Sequence, residues 1–388
     1  MTERLRVGLI GCGNVVSYGH APAIQALPAV ELVALADVTP ARRQIGQQWF
    51  GLSDEDVYAD HRALLARGDL EAVVVAVPQR YRRDIVLAAF AAGLHVLSEK
   101  PLADAPATAA EIVTAAESAG LQCAICHNYL FFPEYRALKE EITQRSIGEL
   151  RVLTLNYLGV IDYPGAAEYE ARWRHSLAAG GGVLMDMIHA VYLAQWLADD
   201  RANQVNAFVA APEYSARLPE VEDLALLQVS FPHCYALINI AWGQGVGGVD
   251  ISGSEGHLRL RYEKYQTSGF NQPAELYRVN DWQRREIPLA NLPRHEDNVA
   301  AAFTALWADF HAAIRENRAP AAPARDGALA LELALAGYLS AVTGQTITLP
   351  LSVEHPVYRQ GIAGLTEMTP RLDSSAVTAG LFGFREVP

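Results

Sequence analysis

Cysteine is scarce in this sequence, with four residues (Cys12, Cys123, Cys126 and Cys234) in 388. So few cysteines cannot form a disulfide scaffold, and inside apolar runs they behave as small hydrophobic residues. The sequence also lacks an apolar run of about 18 residues, the length that spans a membrane. Its N-terminus has neither the apolar core nor the cleavage site of a secretory signal. We therefore expect a cytoplasmic protein without a membrane partner.

A basic stripe is missing as well. The chain has 31 Lys and Arg against 44 Asp and Glu, a formal net charge of -13. This balance argues against a nucleic-acid partner, which requires clustered basic side chains. What is present is a 51% hydrophobic and 19% charged composition, typical of a compact globular protein. At about 100 to 200 residues per domain, the length predicts two or three domains.

Short apolar runs alternate with helix-length segments in the first third of the chain. Most of these runs are too apolar to face water on one side, which is typical of parallel strands covered on both faces. The predicted strands are 7–10, 31–36, 72–77, 95–98 and 123–126, and the predicted helices are 40–48, 82–92 and 107–119. We therefore predict a doubly wound parallel sheet, a Rossmann domain, over residues 1–125.

The pattern changes after about residue 148, where strand-like segments follow one another without a helix between each pair. Such a run of strands indicates an antiparallel sheet. The predicted strands are 150–160, 204–211, 225–231, 235–242 and 257–262, and the predicted helices are 182–197, 297–316 and 326–343. Residues 126–388 are therefore expected to form an α+β domain for substrate binding and oligomerisation.

A glycine motif follows the first predicted strand and precedes a helical segment. Gly11 permits a tight turn, Gly13 lets the backbone approach a pyrophosphate, and the amides of Asn14 and Val15 at the helix start face the anion. Val16 stands where the third glycine of a dinucleotide-binding motif belongs. An ordinary strand-to-helix turn is the alternative interpretation.

Asp37 strengthens the cofactor interpretation. It ends the second apolar run, where a carboxylate accepts hydrogen bonds from the adenine-ribose hydroxyls and repels a 2'-phosphate. The sequence therefore favours NAD over NADP. Arg42 and Arg43 lie nearby and could modify this preference, although solvated positions on the next helix explain them equally.

The segment from Gly93 to Leu102, Gly-Leu-His-Val-Leu-Ser-Glu-Lys-Pro-Leu, resembles the signature of the glucose-fructose oxidoreductase and inositol dehydrogenase family, Gfo/Idh/MocA. Further segments agree in order and spacing: Ala76 to Gln79, Gly148 to Leu150, Trp173-Arg174, Gly180 to Asp186, Gly253 to Gly256 and Ser340 to Gly344. The resemblance covers nearly the whole chain. It implies a Rossmann domain, a second domain with a large, mostly antiparallel sheet, and NAD(P)-dependent oxidation of sugars, cyclitols or related polyols. It also implies a homodimer or homotetramer built through the second sheet.

The resemblance assigns the turn after the predicted strand 95–98. Lys100 would lie beside the nicotinamide, commonly through a cis peptide before Pro101, and a partly desolvated lysine can assist proton movement near neutral pH. Cofactor contacts are implied for Val77, Pro78, Glu99 and Asn128. Arg82 replaces a histidine that is common after the Pro78 motif.

Asp186 and His189 complete the implied catalytic set. They lie three residues apart in the predicted helix 182–197, so we expect them on one face, with His189 as general base and Asp186 orienting the substrate hydroxyl or the imidazole. The family spacing is commonly four, which makes Tyr192, on the same face, an alternative contributor. A buried structural histidine is the other interpretation of His189.

Substrate contacts are expected from aromatic and polar residues that stack on sugar rings and bind their hydroxyls. We assign Tyr163, Trp173 and Arg174 to these substrate contacts. Tyr129, which stands where the family often has basic residues, is assigned to them as well. Packing or an oligomer contact is the alternative for the aromatic residues.

Cys123-Ala-Ile-Cys126-His127 matches the pattern for covalent haem attachment. It lies in a predicted buried strand, and a structural zinc site would need a second close pair of ligands. We therefore predict no metal and no haem.

The function that the sequence favours is that of an NAD-dependent oxidoreductase, which transfers hydride between nicotinamide and a secondary alcohol of a sugar, glycoside or cyclitol. One alternative retains NAD while a ring hydroxyl is oxidised, a glycosidic bond is eliminated and the ketone is reduced again. A second alternative is a non-catalytic protein that senses NAD, because fold alone does not dictate function.

Overall fold

The computed structural model describes residues 4–160, 175–176, 180–212, 221–243, 245, 247–264, 271–288 and 295–368. Contacts divide the chain into two compact units. The first consists of Met1–Asp104, Thr108–Phe132 and Glu296–Ala328, and the second of Ala105–Ala107, Pro133–His295 and Leu329–Pro388.

The first unit contains a six-stranded parallel sheet. Its strands are β1 (Leu5–Ile10), β2 (Val30–Ala36), β3 (Val57–Tyr58), β4 (Ala72–Val75), β5 (His95–Ser98) and β6 (Cys123–Ile125). Their order is β3-β2-β1-β4-β5-β6, with every pairing parallel. All four residues of β4 are buried, as expected for a strand covered on both faces. The predicted Rossmann sheet is confirmed.

Helices connect these strands in sequence order. They are α1 (Ala21–Ala26), α2 (Pro40–Phe50), α3 (His61–Leu65), α4 (Arg82–Ala91) and α5 (Pro106–Ala119). A π-helical turn at Val16–His20 leads into α1, whose second residue is Pro22, and the nitrogen of Pro22 has no proton to donate to the helix. The turn brings His20 into the buried interior of the unit.

The second unit contains a nine-stranded, mostly antiparallel sheet. Its strands are β7 (Leu150–Val160), β8 (Gln204–Ala210), β9 (Leu224–Ser230), β10 (Tyr235–Trp242), β11 (Gly248–Gly253), β12 (His257–Lys264), β13 (Asn271–Asn280), β14 (Gln283–Glu286) and β15 (Ile347–Thr348). Their order is β14-β13-β12-β11-β7-β10-β9-β8-β15. The pairing of β7 with β10 is parallel. Buried and exposed residues alternate along β8, β9 and β10, the pattern of strands with one covered face. The predicted sheet class is confirmed.

Among the described residues, seven further helices follow α5. They are α6 (Pro133–Thr143), α7 (Val183–Asp186), α8 (Ile188–Ala198), α9 (His295–Glu316), α10 (Ala324–Thr343), α11 (Pro356–Gln360) and α12 (Ile362–Met368). By length and composition α10 could cross a membrane, but 61% of its apolar window is buried inside the protein. Burial of this kind is also found in the core helices of soluble proteins.

The position of α9 differs from the sequence-based expectation, which placed the helix at 297–316 in the domain 126–388. Residues Glu296–Ala328 belong to the first unit. Phe303 packs so tightly on Gly19 that a Cβ there would lie 2.8 Å from the ring, and Arg315 forms an ion pair with Glu71 at 2.5 Å. The apolar face of α9 therefore covers the parallel sheet unit, which is built from three separate stretches of sequence.

Candidate active site

The glycine motif forms the turn after β1. Gly11 has φ +93°, and a Cβ on it would lie 2.6 Å from the carbonyl oxygen of Ala76 and 3.0 Å from Cγ1 of Val77, so another residue would be strained and would clash. A Cβ on Gly13 would meet nothing within 4 Å, which leaves its backbone open to a ligand. Asn14 is exposed and opens the helical segment together with Val15.

Asp37 ties this turn to the end of β2. Its Oδ2 accepts a hydrogen bond from the backbone N–H of Cys12 at 2.7 Å, and its Oδ1 accepts one from Thr39 at 2.7 Å. Each carboxylate oxygen retains a second lone pair, which suits a ribose hydroxyl. Arg43 donates to the backbone carbonyl of Asp37 at 2.7 Å. This contact engages one of the two arginines that the sequence left in question.

These features fit a dinucleotide. An open backbone at Gly13, helix amides after it and a carboxylate at the end of β2 match the requirements for a pyrophosphate and an unphosphorylated ribose. Gly11, Gly13, Asn14 and Val15 would hold the pyrophosphate, and Asp37 the ribose.

Lys100 follows β5 and is partly buried. The Lys100–Pro101 peptide is cis, as the resemblance implied. Glu99 is almost fully buried, and its Oε2 accepts the backbone N–H of Lys100 at 3.1 Å. Burial raises the pKa of the Glu99 carboxyl, but the hydrogen bond from His20 and the nearby positive charges outweigh it, so that the pKa lies below its ordinary value. Glu99 is therefore a negatively charged carboxylate that is hydrogen-bonded to the backbone of Lys100.

Arg82 holds the backbone around the same turn. Its guanidinium donates to the carbonyl oxygens of Val77 at 2.8 Å and Glu99 at 2.6 Å, and also to that of Pro101. Burial lowers the pKa of Arg82 to about 10, against the opposing charge of Glu99. The residue that replaces the common histidine is therefore a buried clamp on three carbonyl groups.

Asn128 and Tyr129 lie just beyond β6. Asn128 is buried at the start of a 3-10 turn, Asn128–Phe131. The Tyr129 ring meets the edge of Phe132 with centroids 5.1 Å apart, so packing accounts for part of its surface. His127 precedes them, and burial together with the charge of Lys100 lowers the pKa of His127 to about 3. This neighbouring imidazole is therefore neutral near pH 7.

The predicted single helix 182–197 is broken in the structure. Asp186 ends α7, Met187 has φ -99° and ψ 35°, and α8 begins at Ile188. The expectation that one continuous helix carries Asp186 and His189 is therefore wrong, because the three-residue spacing spans the break at Met187. Each side chain has its own described partner.

Asp186 and His189 are both buried. The indole N–H of Trp242 donates to Oδ2 of Asp186 at 3.2 Å, and Nδ1 of His189 lies 2.7 Å from the hydroxyl oxygen of Tyr192. The ring of His175 meets the edge of Trp242 with centroids 5.2 Å apart. The structure thus forms two pairs in the second unit, Asp186 with Trp242 and His189 with Tyr192.

Trp242 was missed by sequence reasoning. It ends β10, and its apolar type within a strand predicts only packing. The signal that could have found it is its indole N–H, since a buried tryptophan usually finds an acceptor.

Lys100 belongs to the first unit, whereas Asp186, His189 and Tyr192 belong to the second. Pro78 is exposed at the end of β4. Three predicted substrate residues, Tyr163, Trp173 and Arg174, lie outside the described residues. The roles of all these side chains stay predictions.

Comparison with known proteins identifies the family. A profile described as an oxidoreductase family with an NAD-binding Rossmann fold matches residues 5–127, and the C-terminal α/β domain of the oxidoreductase family matches residues 139–349. The chain belongs to the Gfo/Idh/MocA family of oxidoreductases. Its cofactor is NAD.

Individual members of the Gfo/Idh/MocA family align over most of the chain. D-apiose dehydrogenase of Paraburkholderia graminis is 26% identical over 378 residues, covering 93% of this chain and 94% of the relative. The 1,5-anhydro-D-fructose reductase of Ensifer adhaerens is 29% identical over 349 residues, covering 88% and 97%. The crystal structure of aldose-aldose oxidoreductase from Caulobacter crescentus has a TM-score of 0.77 at 23% identity, covering 89% of this chain and 100% of that one. The similarity to this crystal structure shows that the two chains share a fold.

Proposed function

We propose that this Gfo/Idh/MocA protein transfers hydride between NAD and a secondary alcohol of a sugar, glycoside or cyclitol. The observation that carries the proposal is the Lys100 turn, where Glu99 and Arg82 hold the backbone before a partly buried lysine and Arg82 also holds the carbonyl oxygen of Pro101 after it. A relative that spans nearly the whole chain is a D-apiose dehydrogenase, and another is a 1,5-anhydro-D-fructose reductase. These names support a sugar-like substrate.

Oxidation of an alcohol removes one proton from oxygen and one hydride from carbon. Bound NAD supplies the hydride acceptor. Lys100 binds the hydroxyl oxygen through its ammonium group and stabilises the negative charge that develops there. His189 accepts the hydroxyl proton as general base, and its Nδ1 contact with Tyr192 orients the ring. Asp186, held by Trp242, orients a substrate hydroxyl.

The experiment is an assay of sugars, cyclitols and glycosides that follows the absorbance of reduced nicotinamide, with NAD and NADP in separate reactions. Lys100→Ala should abolish hydride transfer and retain NAD binding. Lys139→Ala is the matched control, because Lys139 binds Asp199 at 3.1 Å on the surface and has no assigned role. Unchanged turnover in Lys100→Ala would contradict the catalytic assignment.

The same assay separates the alternatives. Release of the aglycone from a glycoside without net NADH formation supports the cycle in which NAD is retained. NAD binding without turnover of any compound supports a sensor.

We also propose a homo-oligomer and a cytoplasmic location. Four exposed apolar side chains, Phe208, Leu226, Tyr235 and Leu237, lie on β8, β9 and β10, and Phe208 pairs with Leu226 across two strands. A second copy of the chain would cover them. The four cysteines are buried free thiols, which suits a reducing compartment.

A further inference from the structure

Three buried side chains of the first unit form a hydrogen-bonded chain that ends beneath Lys100. The indole N–H of Trp307 donates to Nδ1 of His20 at 3.1 Å. Nε2 of His20 lies 3.1 Å from Oε1 of Glu99, and Oε2 of Glu99 accepts the backbone N–H of Lys100 at 3.1 Å. His20 and Trp307 are both 0% exposed. The chain therefore runs from α9 to the backbone of Lys100 through side chains that are almost fully buried.

The donor at one end determines the protonation of His20. An indole nitrogen can only donate, so Nδ1 must offer its lone pair and the proton of the neutral imidazole must lie on Nε2. That proton points at the Glu99 carboxylate. An imidazolium would place an N–H against the indole N–H, so Trp307 selects the neutral ring with one fixed tautomer.

The same argument disfavours a metal at this cluster. One ligand atom each from His20, Glu99 and Cys126 lies within 4.8 Å of the others. A metal on Nε2 would require a proton on Nδ1, opposite the indole N–H. Instead, the side-chain nitrogen and oxygen atoms of His20 and Glu99 are engaged in the hydrogen bonds described above.

Glu99 connects His20 to the backbone of Lys100. One of its carboxylate oxygens bonds to His20 and the other to the amide of the next residue, while Arg82 holds the carbonyl oxygens of Glu99 and Pro101. The peptide group before Lys100 and the peptide group after Pro101 are thus restrained. Since a displacement of about 1 Å at a reacting group can cost about a hundredfold in rate, such restraint matters to catalysis.

We infer that His20, held by Trp307, is a positioning residue that fixes Lys100 through Glu99. The inference rests on the proposed function, in which Lys100 acts on the substrate hydroxyl. It gives α9 a second role beyond covering the sheet.

The first test measures the titration of the Lys100 side chain by NMR. The sequence has three lysines, Lys100, Lys139 and Lys264, so selective 13C labelling resolves each side chain by NMR. His20→Leu removes the donor to Glu99, and His20→Gln keeps an N–H donor on a side chain of similar reach. We expect the Leu variant to move the titration midpoint of Lys100 by about half a pH unit or more, the Gln variant to restore it, and Lys139 to stay unchanged.

Turnover supplies the second readout. We expect kcat of His20→Leu to fall about ten- to hundredfold, while KM and the dissociation constant of NAD stay within about threefold, because position changes and binding does not. His20→Gln should recover most of the rate. A folded His20→Leu protein with wild-type Lys100 titration and wild-type kcat would overturn the inference.

Trp307→Phe tests the tautomer if the His20 variants fail to fold. It keeps an aromatic ring and removes only the indole N–H. The 15N shifts of His20 should report the Nε2–H form in the wild type and added Nδ1 protonation in the variant. Phe303→Leu is the control, since Phe303 meets the His20 ring edge at 5.0 Å without a hydrogen bond. Identical His20 shifts in the wild type and Trp307→Phe would contradict the role of Trp307.

These readouts separate the two proposals. If the wild type oxidises no compound, the proposed function fails, but the lysine and histidine spectra still decide whether His20 positions Lys100.

Discussion

The hydroxyl oxygen of Tyr192 lies 2.7 Å from Nδ1 of His189, and both side chains are buried. If His189 accepts the substrate proton on Nε2, its Nδ1–H must donate to Tyr192, since the two ring nitrogens have opposite roles in the neutral imidazole. Tyr192 then stabilises the imidazolium that proton transfer creates. For the question that the sequence left open, we therefore propose that the histidine accepts the proton and that the tyrosine has a supporting role.

Tyr192→Phe tests this arrangement. We expect kcat to fall about two- to tenfold, the usual range for one hydrogen bond, and the acid limb of kcat/KM to move to lower pH, because the imidazolium loses an acceptor. Rate measurements across the neutral range, on both sides of the imidazole pKa, would show both effects. Tyr157→Phe is the control, since it removes a hydroxyl bonded to Tyr135 at 2.6 Å. An acid limb that moves to higher pH would assign the opposite hydrogen-bond direction.

Asp37→Asn tests the cofactor preference. The amide loses the charge, so the preference for NAD over NADP should narrow, with kcat/KM for NAD falling about ten- to hundredfold, because hydrogen bonds to a charged group contribute about 1.5–3 kcal/mol. The structure adds a second expectation. Both carboxylate oxygens accept backbone N–H groups, so an NH2 group must oppose one of them and the melting temperature should fall. Glu55→Gln, which removes an exposed charge of the same unit, should change neither quantity.

Glu134 and Glu222 predict a loss of stability as the pH rises. Burial raises the pKa of each to about 7, against hydrogen bonds from Tyr262 and Tyr338 respectively. The folded protein therefore binds more protons than the unfolded chain between about pH 4.5 and 7, and the unfolding free energy falls across this window. The contribution is complete below about pH 4.5 and lost above about pH 7, by up to roughly 3 kcal/mol for each group.

Glu134→Gln and Glu222→Gln should each flatten this pH dependence, as measured by urea denaturation at intervals across the same window. Glu222→Gln keeps an oxygen for the Leu184 amide and the Tyr338 hydroxyl, which bond Oε1 at 2.9 and 2.6 Å. Glu140→Gln, a change at the surface, is the control. Parallel curves for wild type and both variants would show that the two carboxyl groups titrate normally.

The open face of the second sheet predicts the oligomeric state. Phe208→Glu combined with Leu226→Glu places two charges at a directly paired position of β8 and β9. We expect the mass in sedimentation velocity to drop to 42.2 kDa, that of one chain, with NAD binding retained. Asp281→Asn, at a turn before β14, is the control. An unchanged mass would place the interface elsewhere.

The Rossmann half was predictable because its strands are buried on both faces, which produces apolar runs such as Ala72–Val75. The strands β11 and β13 were missed for local reasons. Gly248–Gly253 is bounded by glycines, and Asn271–Asn280 contains a proline, both of which weaken a strand pattern. The helix α6 was also missed, because its sequence mixes polar and apolar residues and lies near the predicted boundary between the two domains.

The partners of side chains were much harder to predict. The apolar face of α9 shows that the helix is buried, but it does not show which unit the helix packs on. From the sequence, α9 was therefore assigned to the wrong unit. His20 attracted no attention because its partner Trp307 is 287 residues away. The break at Met187 was likewise hidden, since Asp186 and His189 have the same spacing whether or not the helix continues.

The discontinuity of the first unit has a consequence for its synthesis. Residues up to Phe132 leave the ribosome long before Glu296–Ala328, which complete the same unit. Until α9 emerges, Gly19 and His20 lack their packing partners, and the chain beneath Lys100 has no indole donor. We therefore expect the nucleotide-binding fold to be completed only after most of the polypeptide is translated, and a fragment cut at the end of β6 or the following turn to be less stable than the whole unit.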